Sequence, residues 1–518
     1  MKTCRFGFES EVYVDRGGVA RLIRIREAAP DRCARLTTLA DRRISAAHPS
    51  ARTDPMECLN PELLHHRAVQ RTISPLRLRI LRSLSAAIVA LPTSGSAQAP
   101  MDSALARYIN GIRAIDDHAH PMRPVAPGAP ADSEFDALPL DGIPPFDLPN
   151  RLRADDPIWR AAQHALYHIQ PSLSGAPYHA ALKDAVTKKI ASSGEHFPEW
   201  ALDQAGIDVM LANRIALGTG LAAPRVRWIA FADALMLPLD SRNEATRTPD
   251  TRPLYPREAK LLQRYLRDLN VRALPATLDE YLRVVVAPTL ARQRAGGAVA
   301  IKFEAAYLRP LDFDDPNTAE AQRVYAKYAR GGAPTRAEYK ALEDYLFRAI
   351  CREAGRQKLA VQIHVLETFG GFYSPSGSAP HLLEPAFNDS TLRATKFIIV
   401  HGGWPLVGET QAQLTKPNVY ADVSMMDDIL SPTLLAGVLR QWLGEWPDKV
   451  LFGSDAFDGG AEQGWEQIAW VAATSTRRAL AIALTGMMRD GEITRERAQT
   501  LARMVLRENA AAAYGLPK

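Results

Sequence analysis

Four histidines and one aspartate hold most of the chemistry this sequence can do, and each closes or follows a short apolar run. The first run ends Ile115-Asp116-Asp117-His118-Ala119-His120. Ala360-Val361-Gln362-Ile363 ends in His364, Phe397-Ile398-Ile399-Val400 in His401, and Val450-Leu451-Phe452-Gly453-Ser454 in Asp455. Side chains two apart on a strand share a face, so His118 and His120 should reach the same way. Asp116 should lie beside them, with Asp117 and Ala119 turned away. Imidazoles and a carboxylate gathered at strand ends are what a divalent metal needs. A lone His-x-His, or His364 or His401 taken singly, is weak evidence. Nine histidines follow residue 99, however, and four of them stand at these positions.

Two more side chains belong with this group. In Val299–Glu304 the apolar Val299, Ile301 and Phe303 face one side, while Lys302 and Glu304 face the other. A lysine buried there is costly unless paired or modified. Either a Lys302–Glu304 or Lys302–Asp pair braces the site, or a carboxylated Lys302 bridges two metals. Asp422 is expected to stand behind the ligands. Tyr307, Arg309 and Trp404 follow strand ends and are candidates for gripping substrate.

The elements that must position these residues form one repeating pattern. Short β-branched runs alternate with longer helical stretches, the mark of a parallel α/β fold. Eight runs are legible, the number a small closed barrel needs. They are Ile112–Asp117, Ile207–Ala212, Arg227–Met236, Ala298–Glu304, Ala360–Val365, Phe397–His401, Asn418–Ser424 and Lys449–Asp455. The third is ambiguous, because Trp228–Leu239 is apolar throughout and could be helical. The expected fold is a (β/α)8 TIM barrel with long insertions after the first and third strands. The first insertion opens with the Pro-rich stretch Pro121–Pro149. The second has helical period over Pro256–Arg292, with Leu261, Leu262, Tyr265 and Leu266 on one face. Insertions after barrel strands fall on the catalytic face, so both should roof the site. A final helix is expected over Thr494–Tyr514, stopped by Gly515.

Composition narrows the setting. Of 63 Lys+Arg and 58 Asp+Glu, residues 1–99 hold 16 and 9, which leaves 47 basic and 49 acidic side chains beyond. A near-neutral body has no electrostatic footprint for nucleic acid. Residues 76–99 read as a secretory signal: Arg77, Arg79 and Arg82, then apolar Leu84–Leu91, then Ala97-Gln98-Ala99. The apolar run is too short for a membrane span. Residues 1–75 are Arg-rich without sustained period, and read as an untranslated or disordered extension ahead of a secreted or periplasmic protein. Residues 100–518 then form a single domain. Cys4, Cys33 and Cys58 precede the signal, which leaves only Cys351 and no Cys-rich zinc site.

With these motifs the chain resembles the amidohydrolase superfamily, specifically its amidohydrolase-related (family 2) group. The matching elements are His118-Ala-His120, His364, His401-Gly-Gly-Trp404, Gly453-Ser-Asp455 and the closing Leu506–Leu516; Ala300–Leu311 looks like a stretch of one branch. The resemblance implies a metal-dependent barrel enzyme. His118, His120, His364 and Asp455 would be ligands, and His401 a ligand or the group that polarises substrate. Lys302 stands where binuclear relatives keep a bridging lysine, but Glu304 follows on the same face.

A divalent metal, zinc or else manganese or iron, is expected, as one ion rather than two. Bound water brought toward a pKa of about 7 would attack an amide, ester or lactone of a small molecule. Asp455 would be the general base and His401 the oxyanion stabiliser. Non-oxidative decarboxylation of a small carboxylic acid is the alternative on the same scaffold. A homodimer is a reasonable assembly.

Overall fold

Eight parallel strands make the barrel: β1 (Ala114–Ala119), β2 (Ile207–Asn213), β3 (Val226–Phe231), β4 (Ala298–Phe303), β5 (Ala360–His364), β6 (Phe397–Val400), β7 (Val419–Asp422) and β8 (Val450–Leu451). Each pairs with its neighbour in chain order. The barrel closes just past β8, where Asp117 N donates to Phe452 O and His120 N to Ala456 O, both within 2.9 Å. These are the eight runs legible in the sequence, with shifted ends. The third differs most. Its strand stops at Phe231 and Asp233–Met236 turns into a short helix, which resolves the ambiguity of the apolar run.

The computed structural model describes residues 12–14, 20–22 and 101–517, apart from 126, 127, 141, 316 and 461. Residues 1–95 form a unit of their own, in which Val12–Val14 pairs antiparallel with Ala20–Leu22. The signal segment 76–99 and the rest of the extension lie outside the described residues.

Two layers of apolar side chains fix the barrel. Outward-facing residues such as Ile301, Phe303 and Ile363 pack on the surrounding helices. Inside, Ile115, Leu211, Ile229, Ala300, Ile398 and Leu451 meet Ala510, Ala511 and Tyr514 of the last helical segment. That segment runs from its Thr494 N-cap through Arg495–Arg503, a wider turn over Met504–Glu508, and Asn509–Tyr514, and ends at Gly515 with φ 67°. The C-terminus therefore plugs the floor of the barrel and leaves the opposite mouth for chemistry. Among the described residues no helix is long and apolar enough to cross a membrane.

Strict alternation fails on β1. Its register against β2 slips between Ala114 and Ile115 and again between Asp116 and Ala119, and an irregularity of this kind re-aims side chains. Asp117, expected to point away from His118, instead accepts from Tyr514 OH at 3.0 Å in the barrel floor. Asp116 accepts from Ser454 N and from Ser454 Oγ at 2.9 and 2.5 Å, which ties β1 to the turn carrying Asp455.

Candidate metal centre

His118, His120 and Asp455 converge at the barrel mouth, with one ligand atom from each lying within 4.8 Å of the others. Asp455 Oδ1 is 3.1 Å from His118 Nε2 and 3.6 Å from His120 Nε2. Close passage of β8 beside β1 allows this. A Cβ on Gly453 would sit 2.6 Å from Asp117 Oδ1 and 3.1 Å from His118 Cβ, so only glycine fits there. Asp455 and His401 both have positive φ, 46° and 64°. Non-glycine residues are held so at a cost of roughly 1–3 kcal/mol each, typically at functional sites. Their amides are pinned: Asp455 N donates to His118 O and His401 N to Asp422 Oδ1, each at 2.8 Å.

The hydrogen bonds assign the ring tautomers. Gln362 Nε2 donates to Asp117 O and Tyr514 OH, so its Oε1 is the atom that faces His118 Nδ1, at 3.0 Å. His118 Nδ1 must then carry the proton, which leaves the Nε2 lone pair for the centre. Asn213 Nδ2 lies 2.9 Å from the same nitrogen while its Oδ1 has no partner, so turning that amide end for end lets Oδ1 accept from the Nδ1–H. His120 Nδ1 lies 3.0 Å from Asp136 Oδ2 without hydrogen-bond alignment, and its Nε2 is 3.6 Å from Asp455 Oδ1.

A second relay orients the remaining pair. Ser424 Oγ donates to Asp422 at 2.6 Å, so it accepts from His401 Nδ1–H at 3.0 Å. His401 Nε2 then accepts from His364 Nδ1–H at 3.1 Å. His364 Nε2 is left buried with no hydrogen-bond partner. Burial, helped by nearby Lys302, pushes His118 and His364 well below the usual histidine range. Burial does the same to His401 against the pull of Asp455. Neutral imidazoles with bare Nε2 lone pairs are what a divalent ion binds. The donor set of His118, His120, His364 and Asp455 thus fits a metal, although His364 stands outside the tight triad, on the far side of His401.

The other expected site residues are placed variously. His401 Nδ1 is 3.9 Å from Asp455 Oδ2, but both its ring nitrogens are engaged by Ser424 and His364. Lys302 is 1% exposed and its Nζ lies 3.3 Å from His118 Nε2. Among the described residues no carboxylate lies within salt-bridge distance of it, so the anticipated Lys302–Glu304 or Lys302–Asp pair does not form. Glu304 sits instead with Asp136 beside His120. Tyr307 stacks near His364, with ring centroids 4.6 Å apart. Arg309 lines the cleft described below and is held there by ion pairs with Glu343 and Asp344 at 2.8 and 2.9 Å. Trp404 is half-buried in the turn after His401, with its carbonyl accepting from Glu367 N at 3.4 Å.

A cleft of about 270 Å³ is lined by none of His118, His120, His364, His401 or Asp455, but by Tyr307, whose ring packs near His364. Leu140 and Ile143 of the first insertion and Thr248, Asp250, Thr251 and Leu254 of the second line it, together with Tyr307, Arg309, Phe369 and Tyr373. Both insertions therefore roof the pocket, and Tyr307 joins it to His364. Gln362, Asn213, Asp136 and Ser424 escaped sequence reasoning. Only Gln362 carried a signal, as a polar residue two before a strand-end histidine.

The family model described as Amidohydrolase matches residues 267–516. No curated protein matches the sequence. Among solved structures, a Lactobacillus casei protein assigned as a metal-dependent hydrolase aligns over 80% of this chain and 98% of its own, at 16% identity and TM-score 0.50. Uronate isomerase of Thermotoga maritima aligns over the same shares at 13% identity and TM-score 0.50. At such identities these likenesses speak for the fold alone. Motif order and barrel agree with the Amidohydrolase family match over residues 267–516.

Proposed function

We propose that this protein is a metal-dependent hydrolase that uses an activated water to cleave an amide, ester or lactone of a small molecule. The observation that carries the reading is the convergence of His118 and His120 Nε2 on Asp455, with hydrogen bonds that leave His118 and His364 each with a bare Nε2 lone pair. One divalent ion, zinc by preference, is the cofactor; held there, it supplies Lewis acidity and makes water nucleophilic near neutral pH.

The chain's own residues do the rest. Asp455, with its side chain 13% exposed, is the one member of the donor set that touches two imidazoles and also reaches the mouth. Its second oxygen takes the proton of the attacking water and returns it to the leaving group. Gln362 and His401 hold the rings of His118 and His364 in one orientation each, which limits reorganisation during reaction. His401 can polarise a substrate carbonyl only by releasing His364. Tyr307, with Leu140, Ile143 and Phe369, presents an aromatic and aliphatic wall suited to an organic substrate of modest size. The segment 76–99 suggests a secreted or periplasmic setting.

A decarboxylase is the second reading, supported by the same donor set, with Asp455 moving the proton at the carbon that loses carboxylate. Zinc-loaded protein should be assayed on panels of esters, lactones, amides and aromatic carboxylic acids. Hydrolysis that disappears on chelation and returns with zinc supports the first reading. Carbon dioxide release without hydrolysis replaces it with the second. Undiminished turnover in protein shown to be metal-free overturns both.

A further inference from the structure

Two chains of aromatic contacts tie the cleft to the metal centre. Tyr307 lines the cleft and stands 4.6 Å, centroid to centroid, from His364. Tyr373 lines it from the loop after β5 and lies 5.8 Å from Tyr307 and 6.5 Å from His364. Phe369, in the same loop, lines it too and meets Phe457 at 6.2 Å, two residues past Asp455. Phe369 also stacks on Phe146 of the first insertion, at 5.3 Å with 17° between the planes. Aromatic rings therefore stand between the cleft and the donor set.

The charged side chains of this lining are engaged within the protein. Arg309 pairs with Glu343 and Asp344, and its side chain is 1% exposed. Arg247 pairs with Glu244. Asp250 Oδ2 accepts from Phe372 N at 2.8 Å. Arg247 Nε and Asp250 Oδ1 lack hydrogen-bond partners, but both are buried beneath the surface. Among the hydroxyls, Thr251 Oγ1 donates to Thr248 O at 2.9 Å. What remains for a ligand is mostly carbon, from the three rings and from Leu140, Ile143 and Leu254. An ionic group placed there would lose its water and meet only charges that are already paired. A cavity of about 150 Å³ holds benzene, so the cleft has room for two fused rings.

Resting on the hydrolase reading, we propose that this cleft binds the non-reacting part of the substrate, and that this part is an uncharged, flat ring system. Phe369 is the specificity-determining residue, because it touches both the cleft and the turn that follows Asp455. Its stacking on Phe146 fixes the ring against which a bound aromatic group packs. Tyr307 and Tyr373 complete the slot on the His364 side. The scissile bond then lies past Tyr307, toward the donor set.

The test measures binding and turnover separately on zinc-loaded, full-length protein. In fluorescence titrations, neutral 2-naphthol should bind at least about tenfold more tightly than 2-naphthalenesulfonate, which carries a charge on the same rings. Phe369→Ala should weaken 2-naphthol by about tenfold with zinc content unchanged, and Phe369→Trp should keep most of the affinity. In turnover, 2-naphthyl acetate or methyl 2-naphthoate should show a KM at least about tenfold below that of ethyl acetate. Phe369→Ala should raise the KM of the naphthyl ester alone. Absence of 2-naphthol binding to the unmodified protein overturns the proposal, whether or not the variants fold, as does equal binding of the sulfonate. So does undiminished 2-naphthol binding by folded Phe369→Ala. Hydrolysis with equal KM for aryl and alkyl esters keeps the hydrolase and overturns the cleft. The expected binding pattern without hydrolysis of any ester supports the cleft while counting against the hydrolase reading.

Discussion

Two clusters of buried charge follow strand β4 within a few residues of each other, and they behave differently. Arg309 gives its buried carboxylates a cation: Nε donates to Pro310 O, Nη1 to Glu343, Nη2 reaches Asp344 and Asp312, and Phe313 stacks 4.4 Å from the guanidinium, although Glu343 Oε1 and Asp344 Oδ1 still lack hydrogen-bond partners. Lys340 closes the group from outside by pairing with Asp344 at 2.7 Å. Glu304, five residues earlier, keeps company with other carboxylates and leaves oxygens unmatched. Both clusters keep unmatched oxygens, but only the first holds an ion-paired cation, which locks its loop in place. Residue type alone would have ranked them the other way, since an arginine after a strand end looks like a substrate grip.

The largest expected effect concerns the centre that the acidic cluster adjoins. Asp455→Asn should lower kcat on the best substrate of the panel by roughly 10²–10⁴-fold, with the melting temperature little changed. A kcat within a few-fold of the unmodified enzyme would move the base elsewhere. Next comes the closed cluster. Arg309→Leu strands Glu343 and Asp344 and should destabilise the fold by about 3–5 kcal/mol in urea unfolding, while the bound zinc stays. Unchanged stability with a raised KM would instead restore Arg309 as a substrate contact and break the contrast drawn above.

A buried carboxyl without a paired cation predicts a much weaker response. Glu258→Gln should be close to neutral for stability, as read by thermal melting, because burial favours the protonated carboxyl and glutamine leaves a similar pair of polar groups unmatched. The smallest effect is at the rim. Burial lifts Glu367 to about 7. A carboxyl raised on folding favours the native state when protonated, so its contribution is full below the unfolded value near 4.5 and is lost as pH rises through 7. Glu367→Gln should flatten that part of the stability curve by on the order of 1 kcal/mol, since the group is partly solvated. An identical pH profile would place Glu367 in the ordinary carboxylate range.

Much of this was readable before any fold was seen, for local reasons. Period-two runs and strand-end positions depend on neighbouring residues, so all eight strands, the terminal helix and the group His118, His120, His364, His401 and Asp455 could be named. The failures are equally specific. Asp117 was turned the wrong way because the slips in β1 arise from pairing with β2, a strand about ninety residues later. Lys302 was given a carboxylate partner by face-sharing with Glu304, but at the barrel mouth Glu304 has already left the strand and turns toward Asp136.

The sequence by itself determined the barrel, the order of its strands and the types of atom offered at their ends, because those follow from local pattern and from the few residue types that bind metals. Which nitrogen of each histidine carries a proton, which arginine is already answered and which carboxylates are left unmatched were decided only by the tertiary structure. Hydrogen bonds at sequence separations of up to several hundred residues, such as Gln362 to Asp117 and His364 to His401 beside Ser424, exist only once the barrel has closed.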